Sequence, residues 1–158
     1  PLNPNGTVLI TGGTGTLGTI TAKHLTTHHN TRHLLLLSRR GPDAPDATEL
    51  TKELTELGAT VTLAACDLTD RADLERHLAA LDHPLTAVFH LAGVTDDATI
   101  ENLTPDQLHT VVATKADTAH HLHHLTRTTD LATFTHYSSL TATLGNPGQA
   151  NYAAANTY

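Results

Sequence analysis

The chain has 158 residues, 39% hydrophobic and only 3% aromatic, which suits one domain with an aliphatic core. Its net charge of −7 argues against nucleic acid as the main partner and requires any anionic ligand to be held by local positive groups. No apolar run reaches the roughly 18 residues of a membrane span. The opening "PLNPNGTVLI" has no signal-peptide pattern, and the single Cys66 suits a reducing, cytoplasmic setting.

Strand and helix patterns alternate along the chain. "TVLIT" (7–11) predicts a strand, followed by a glycine-rich turn and a helix over 17–29. "HLLLLS" (33–38) reads as a buried strand, then "GPDAP" as a loop. A helix over 47–58 puts Leu50, Leu54 and Leu57 on one face and stops at Gly58. A third strand is predicted over 59–66, a third helix over 70–82, and a fourth strand over 85–93. Residues 104–128 read as one long helix, with Thr104 as its cap and Pro105 in its first position. A fifth strand is expected over 131–139, and "NYAAANTY" starts a last helix. Strand runs without strict alternation, separated by helices, imply a doubly wound α/β domain on a parallel sheet. The last helix stops after about two turns, and nothing follows to cover the fifth strand. The domain is therefore expected to be C-terminally incomplete.

The first turn, "TGGTGTLG", runs through Thr11, Gly12, Gly13, Thr14, Gly15, Thr16, Leu17 and Gly18. Between a strand and a helix, its glycine spacing allows a pyrophosphate to approach the backbone at the helix N-terminus. After the second strand, where an acidic residue would meet a ribose 2′-hydroxyl, the chain has Ser38, Arg39 and Arg40. Two guanidiniums match a 2′-phosphate, so NADPH is the expected cofactor. Asp67 is placed to meet the adenine amino group, its alternative being a helix cap that Thr69 or Asp70 could also supply.

Thirteen histidines raise the question of a metal, and in a helix His120 and His124 of "HHLHH" would share a face. Histidine also recurs at 24, 28, 29, 33, 77, 83 and 109 among many threonines. That spread reads as a composition bias on solvated faces, and no metal site is expected.

The sequence ends on an anomaly. Tyr152 is followed four residues later by Asn156, where short-chain dehydrogenases place lysine, and no lysine follows Lys115. "GTVLITGGTGTLG", "LLLLSRRG", "AACDLTD", "VFHLAGV", "TKADTAHHLHHLT" and "GNPGQANYAAAN" resolve it. Together they resemble, end to end, the ketoreductase domain of modular type I polyketide synthases, within the short-chain dehydrogenase superfamily. The resemblance implies NADPH-dependent reduction of a β-ketoacyl thioester on an acyl carrier protein, beside neighbouring domains of a synthase. It also implies that lysine and asparagine exchange places, making Lys115, Ser139, Tyr152 and Asn156 the catalytic set, with Ser138 as a neighbour. Leu68, Ala92 and Gly93 join the cofactor-facing positions. The chain would be a catalytic subdomain lacking its last strands, its lid and a preceding structural subdomain, and is expected to be poorly stable and weakly active by itself.

In that chemistry Tyr152 acts as general acid, and a nearby Lys115 ammonium favours the phenolate left behind. Ser139 hydrogen-bonds the ketone oxygen. Asn156, one turn beyond Tyr152, anchors a water that relays protons. Family stereochemical markers add a further expectation. Thr95, Asp96 and Asp97 stand where the D-hydroxy type carries Leu-Asp-Asp, and Leu144 replaces the tryptophan of the opposite type. Pro147 and Asn151 fit the D-type, and Ala154 disfavours epimerised substrates. The competing readings are a catalytically silent structural domain of a synthase and a nucleotide-sugar epimerase. An intact set of four argues against the first, Asn156 against the second.

Overall fold

Five parallel strands form the centre of the molecule: β1 (Thr7–Thr11), β2 (His33–Ser38), β3 (Thr60–Ala65), β4 (Leu85–His90) and β5 (Thr133–His136). Their order is β3-β2-β1-β4-β5. The computed structural model describes residues 2–158. In register, Leu9 of β1 lies between Leu35 of β2 and Val88 of β4. The strand order reverses at β1, so the carboxyl ends of β1 and β4 flank the crevice where doubly wound sheets bind ligands.

Side-chain alternation divides the core in two. Val8, Ile10, Leu34 and Leu36 face α1 (Thr16–His28) and α2 (Ala47–Glu56), where they meet Ala22, Leu25, Leu50 and Leu54. Leu9, Leu35, Leu37 and Val88 face the other way, towards Leu74 of α3 (Arg71–Ala79) and Leu122 of α5 (Thr118–Thr126). Burying each such leucine or valine contributes about 1.5–3 kcal/mol, so both layers are fixed by aliphatic packing.

The predicted helix boundaries hold where capping chemistry sets them. Thr104 and Gln107 form a reciprocal capping box at the start of α4 (Pro105–Val112). Asp70 Oδ1 accepts from the Ala72 N–H at 2.8 Å to begin α3. Gly58 ends α2 at φ +89°, which side chains rarely adopt.

Four differences from the sequence reading matter. The long helix is interrupted by a π-helical turn, Ala113–Asp117, between α4 and α5. The fourth and fifth strands are shorter than expected, freeing residues 91–99 and 137–140 to form loops beside the crevice. A 3₁₀ turn, Gly41–Asp43, fills part of the loop after β2. A short helix, α6 (Thr141–Leu144), precedes α7 (Ala150–Thr157). Among the described residues, no helix is long and apolar enough to cross a membrane.

Candidate active site

A cavity of about 380 Å³ opens at the carboxyl end of the sheet. Gly12, Thr14, Gly15, Thr16, Leu17 and Gly18 form one wall, Ser38, Arg39 and Arg40 a second, and Leu68, Ala92 and Gly93 a third. Gly12 sits at φ +69°, and a Cβ on Gly18 would lie 2.2 Å from the Gly12 carbonyl oxygen, so the turn depends on these glycines. Gly15 caps α1 without a side-chain bond, leaving the helix N-terminus without a protein side chain of its own. Arg39 and Arg40 are exposed at the rim. A backbone cradle at a helix N-terminus and two guanidiniums without an ion pair among the described residues fit the phosphates of a dinucleotide.

Three predicted cofactor residues do not line this cavity. Thr11 is fully buried, bonded to His90 Nδ1 at 2.7 Å and to the Ala92 N–H at 3.2 Å, and braces the strand ends. Gly13 packs on β2, where a Cβ would meet Leu36 at 2.8 Å. Asp67 Oδ1 turns back on Thr69, accepting from its N–H at 3.0 Å and its hydroxyl at 2.7 Å; these bonds hold its carboxyl below the ordinary range. Leu91, Val94 and Thr114 line the cavity unforeseen, because loop and π-turn geometry bring them there.

Lys115 lies at the centre of the π turn and is only 6% exposed. Its Nζ donates to the Ala92 carbonyl at 3.4 Å, and a Cβ on Gly93 would stand 3.8 Å from its Cδ. Burial lowers its pKa to about 8. An ordinary solvated lysine in mid-helix would show none of this.

The other three predicted catalytic residues come from the loop after β5 and from α7, which packs against α4 and the π turn. Ser139 Oγ accepts from the Thr141 N–H at 3.2 Å, which leaves its own proton free. Ser138 Oγ instead donates to the Asn156 carbonyl at 2.7 Å and ties this loop to α7. Tyr152 is half-buried. Asn156 Nδ2 donates to the Tyr152 carbonyl at 2.9 Å, while its Oδ1 is buried without a partner among the described residues. Such an orphaned acceptor is uncommon and suits a water or a cation.

The predicted stereochemical positions are stitched together across two loops. Gln149 Nε2 donates to Asp97 Oδ2, Asn151 Nδ2 donates to the Asp96 carbonyl, and the Ala98 N–H donates to the Gly148 carbonyl. Pro147 and Leu144 are exposed, Leu144 by 72%. Gln149 was not singled out in the sequence; its place two residues after Pro147 was the available signal.

Histidine is not uniformly solvated. His90 is fully buried, and His33 stacks on His83 with ring centroids 3.7 Å apart. His77 joins Cys66 and Asp73, their ligand atoms within 4.8 Å of one another. Asp73 is already engaged, by the Asp67 N–H at 2.9 Å and by Arg76, and His77 Nε2 lies 3.0 Å from the Ala65 carbonyl. Burial, with Asp73 beside it, pushes the Cys66 thiol up to about 12.

A five-stranded parallel sheet with this first turn and cavity defines a Rossmann-like fold of the short-chain dehydrogenase kind. The model of the KR domain family matches residues 6–158. Polyketide synthase GfsB of Streptomyces halstedii is 53% identical over 99% of this chain. The spectinabilin polyketide synthase system protein NorB of Streptomyces orinoci is 54% identical over 99%. The chain spans only 3% and 7% of those two proteins. A solved structure of A-type ketoreductases from a modular polyketide synthase is 50% identical with a TM-score of 0.94, covering all of this chain and 34% of that one. The chain belongs to the KR domain family, the ketoreductase domains of polyketide synthases.

Proposed function

We propose that this chain is the nucleotide-binding and catalytic part of a ketoreductase that uses NADPH to reduce a β-ketoacyl thioester, carried on an acyl carrier protein, to a D-β-hydroxyacyl thioester. Its setting is a modular synthase in the cytoplasm, with neighbouring domains and the remainder of the reductase around it. One observation carries the reading. Lys115, buried in a π turn, reaches Ala92 and Gly93 at the wall of the cavity, against the helix that bears Tyr152 and Asn156.

When bound, the reduced nicotinamide supplies a hydride to the ketone carbon. The chain's own residues handle orientation and the proton. Tyr152 gives its phenolic proton to the oxygen of the ketone as charge develops there. Lys115 stabilises the phenolate, and burial to a pKa of about 8 leaves it predominantly charged at neutral pH. Ser139 directs its free hydroxyl proton at the same oxygen. Asn156 Oδ1 offers its unpartnered acceptor to a water that reprotonates this pair.

Arg39 and Arg40 support a preference for the 2′-phosphate over a free hydroxyl. The D-configuration rests on Asp97, Leu144, Pro147 and Asn151. Fold likeness does not decide it, since an A-type and a C2-type ketoreductase match this chain with TM-scores of 0.94 and 0.87.

The test is reduction of a β-ketoacyl thioester mimic by the whole ketoreductase that carries this chain. NADPH oxidation is followed optically and the products are separated by chiral chromatography. NADPH-dependent turnover that Tyr152→Phe abolishes is expected. No turnover with either nicotinamide cofactor would move the chain to the silent structural reading, and an L-hydroxy product would overturn the stereochemical part alone.

A further inference from the structure

We propose that His90 is a positioning residue, which holds the π turn in place and thereby aims Lys115 into the site. The proposal rests on the catalytic reading of Lys115. Its geometry does not.

A π turn widens the helix by one residue and loosens its ordinary hydrogen-bond ladder, so it persists where something outside the helix holds it. Here that outside partner is on β4. The Lys115 carbonyl, besides the Thr118 N–H, meets His90 Nε2 at 2.9 Å. A carbonyl only accepts, so Nε2 carries the proton. Nδ1 must then be the acceptor, and the Thr11 hydroxyl stands 2.7 Å from it as donor. Thr11 Oγ1 in turn accepts from the Ala92 N–H at 3.2 Å, and the Ala92 carbonyl accepts from Lys115 Nζ at 3.4 Å.

The bonds therefore close into a ring: Ala92 to Thr11, Thr11 to His90, His90 to the Lys115 backbone, and the Lys115 side chain back to Ala92. The ring joins the end of β1, the end of β4 and the long helix. Every donor and acceptor in it points one way round, which assigns His90 a single neutral tautomer. All three side chains are buried, so a broken link would leave polar groups without water to replace the lost bond. Two titratable groups face the imidazole: Lys115 from the π turn and His136 from β5, its ring centroid 5.0 Å away. Burial above all, and then the charges of these two, hold His90 neutral against the opposing pull of its bond to the Lys115 carbonyl, at a pKa lowered to about 3.

A residue that merely fills the core would be indifferent to which of its nitrogens is kept. The two amide substitutions separate these roles, because a glutamine nitrogen reaches the place of Nε2 and an asparagine oxygen the place of Nδ1. In the whole ketoreductase, His90→Gln keeps the bond to Lys115, whereas His90→Asn keeps only the bond to Thr11. His90→Asn is expected to lower kcat about tenfold to a hundredfold, the scale of a reacting group misplaced by about 1 Å. It should leave NADPH affinity within about twofold, while His90→Gln stays within about threefold of the parent in kcat.

The second readout is the Lys115 amine itself, titrated by NMR with isotope-labelled lysine. Its midpoint should stay near about 8 in His90→Gln and move up towards 10.5 in His90→Asn, as the released ammonium regains water. Equal kcat losses in both variants, in step with their melting temperatures, would reduce His90 to packing. An unmoved Lys115 midpoint in His90→Asn would do the same. If Lys115→Met leaves turnover intact while the midpoints behave as expected, the catalytic role of Lys115 fails and the positioning survives. Should His90→Asn not fold, nitrogen-15 NMR of the unsubstituted imidazole decides the matter: an Nδ1-protonated tautomer overturns the ring.

Discussion

Gln149 Nε2 donates a 2.9 Å hydrogen bond to Asp97 Oδ2, joining two loops that lie 52 residues apart in the chain. The same loops are tied by the Ala98 N–H to the Gly148 carbonyl at 2.9 Å and by Asn151 Nδ2 to the Asp96 carbonyl at 2.8 Å. Asp97 is thus fixed relative to α7, the helix that carries Tyr152. Gln149→Ala removes the only side-chain link of the three that reaches Asp97. A bond to a charged group in an exposed place contributes up to about 1 kcal/mol. That is enough to let the loop sample a second arrangement. Product configuration should erode by up to about fivefold in enantiomeric ratio, with kcat changed much less. Chiral chromatography of the reduced thioester checks this, and an unchanged ratio would disconnect Gln149 from stereocontrol.

Arg39 and Arg40 sit exposed at the rim of the cavity, and neither forms an ion pair among the described residues. Guanidiniums with no protein partner are free to meet a 2′-phosphate. Replacing both by alanine should weaken NADPH binding about tenfold to a hundredfold and leave NADH binding within about twofold, since charge-assisted bonds to the extra phosphate are what is lost. Raising the salt should narrow the gap between the two cofactors in the parent protein and not in the variant. Calorimetric titration of both cofactors at two ionic strengths measures each part.

Gly18 tests the glycine turn at its tightest point. An added Cβ would lie 2.2 Å from the Gly12 carbonyl oxygen and 2.8 Å from Gly13 Cα, both backbone atoms that cannot swing aside. Gly18→Ala should cost about 1–3 kcal/mol of stability through overpacking. It should also move the α1 N-terminus relative to the turn and weaken binding of either dinucleotide. Gly15 is the internal control, since its Cβ would only touch the Gly12 oxygen at 3.3 Å, and Gly15→Ala should be milder in melting temperature and in affinity.

What the sequence revealed and what it concealed divide along a physical line. Local chemistry was legible. The capping pair Thr104 and Pro105, the stop at Gly58 and the buried leucine run 33–38 all act over a few residues, and each falls where it was expected. The glycine turn and the two arginines were legible for the same reason. Three things were not. The π turn at 113–117 has no local cue, because it is held by His90, a residue 25 positions away. Thr11 and Gly13 carry the turn motif yet face Ala92 and Leu36, since a motif does not say which of its residues look at the ligand and which at the sheet. Asp67 was placed rightly at the strand end, but its side chain closes on Thr69, a choice made by loop geometry. The pairing proposed for Lys115 and Tyr152 comes from the family resemblance and not from the spacing of the residues.

Burying Lys115 has a consequence for stability. In the unfolded chain this amine holds its proton up to the ordinary value of 10.5, and in the folded chain only up to about 8. Between those values the unfolded state binds more protons, so stability from this group rises with pH across that window. Below about 8 both states are protonated, and the folded protein bears the full cost of a desolvated ammonium. Lys115→Met removes the charge and keeps an unbranched chain of similar length. At pH 7 the variant should therefore be more stable than the parent, by about 1–3 kcal/mol after allowing for the lost bond to Ala92. The advantage should shrink as pH rises above 8 and be largely gone near 10.5, where the parent lysine is neutral when folded. Denaturant unfolding of parent and variant at pH 7 and pH 10 isolates the effect, because the other titrating groups are common to both. A constant difference at the two pH values would show that Lys115 keeps ordinary solvation. A site that holds an ammonium this way trades stability for the charge that the role proposed for Lys115 requires.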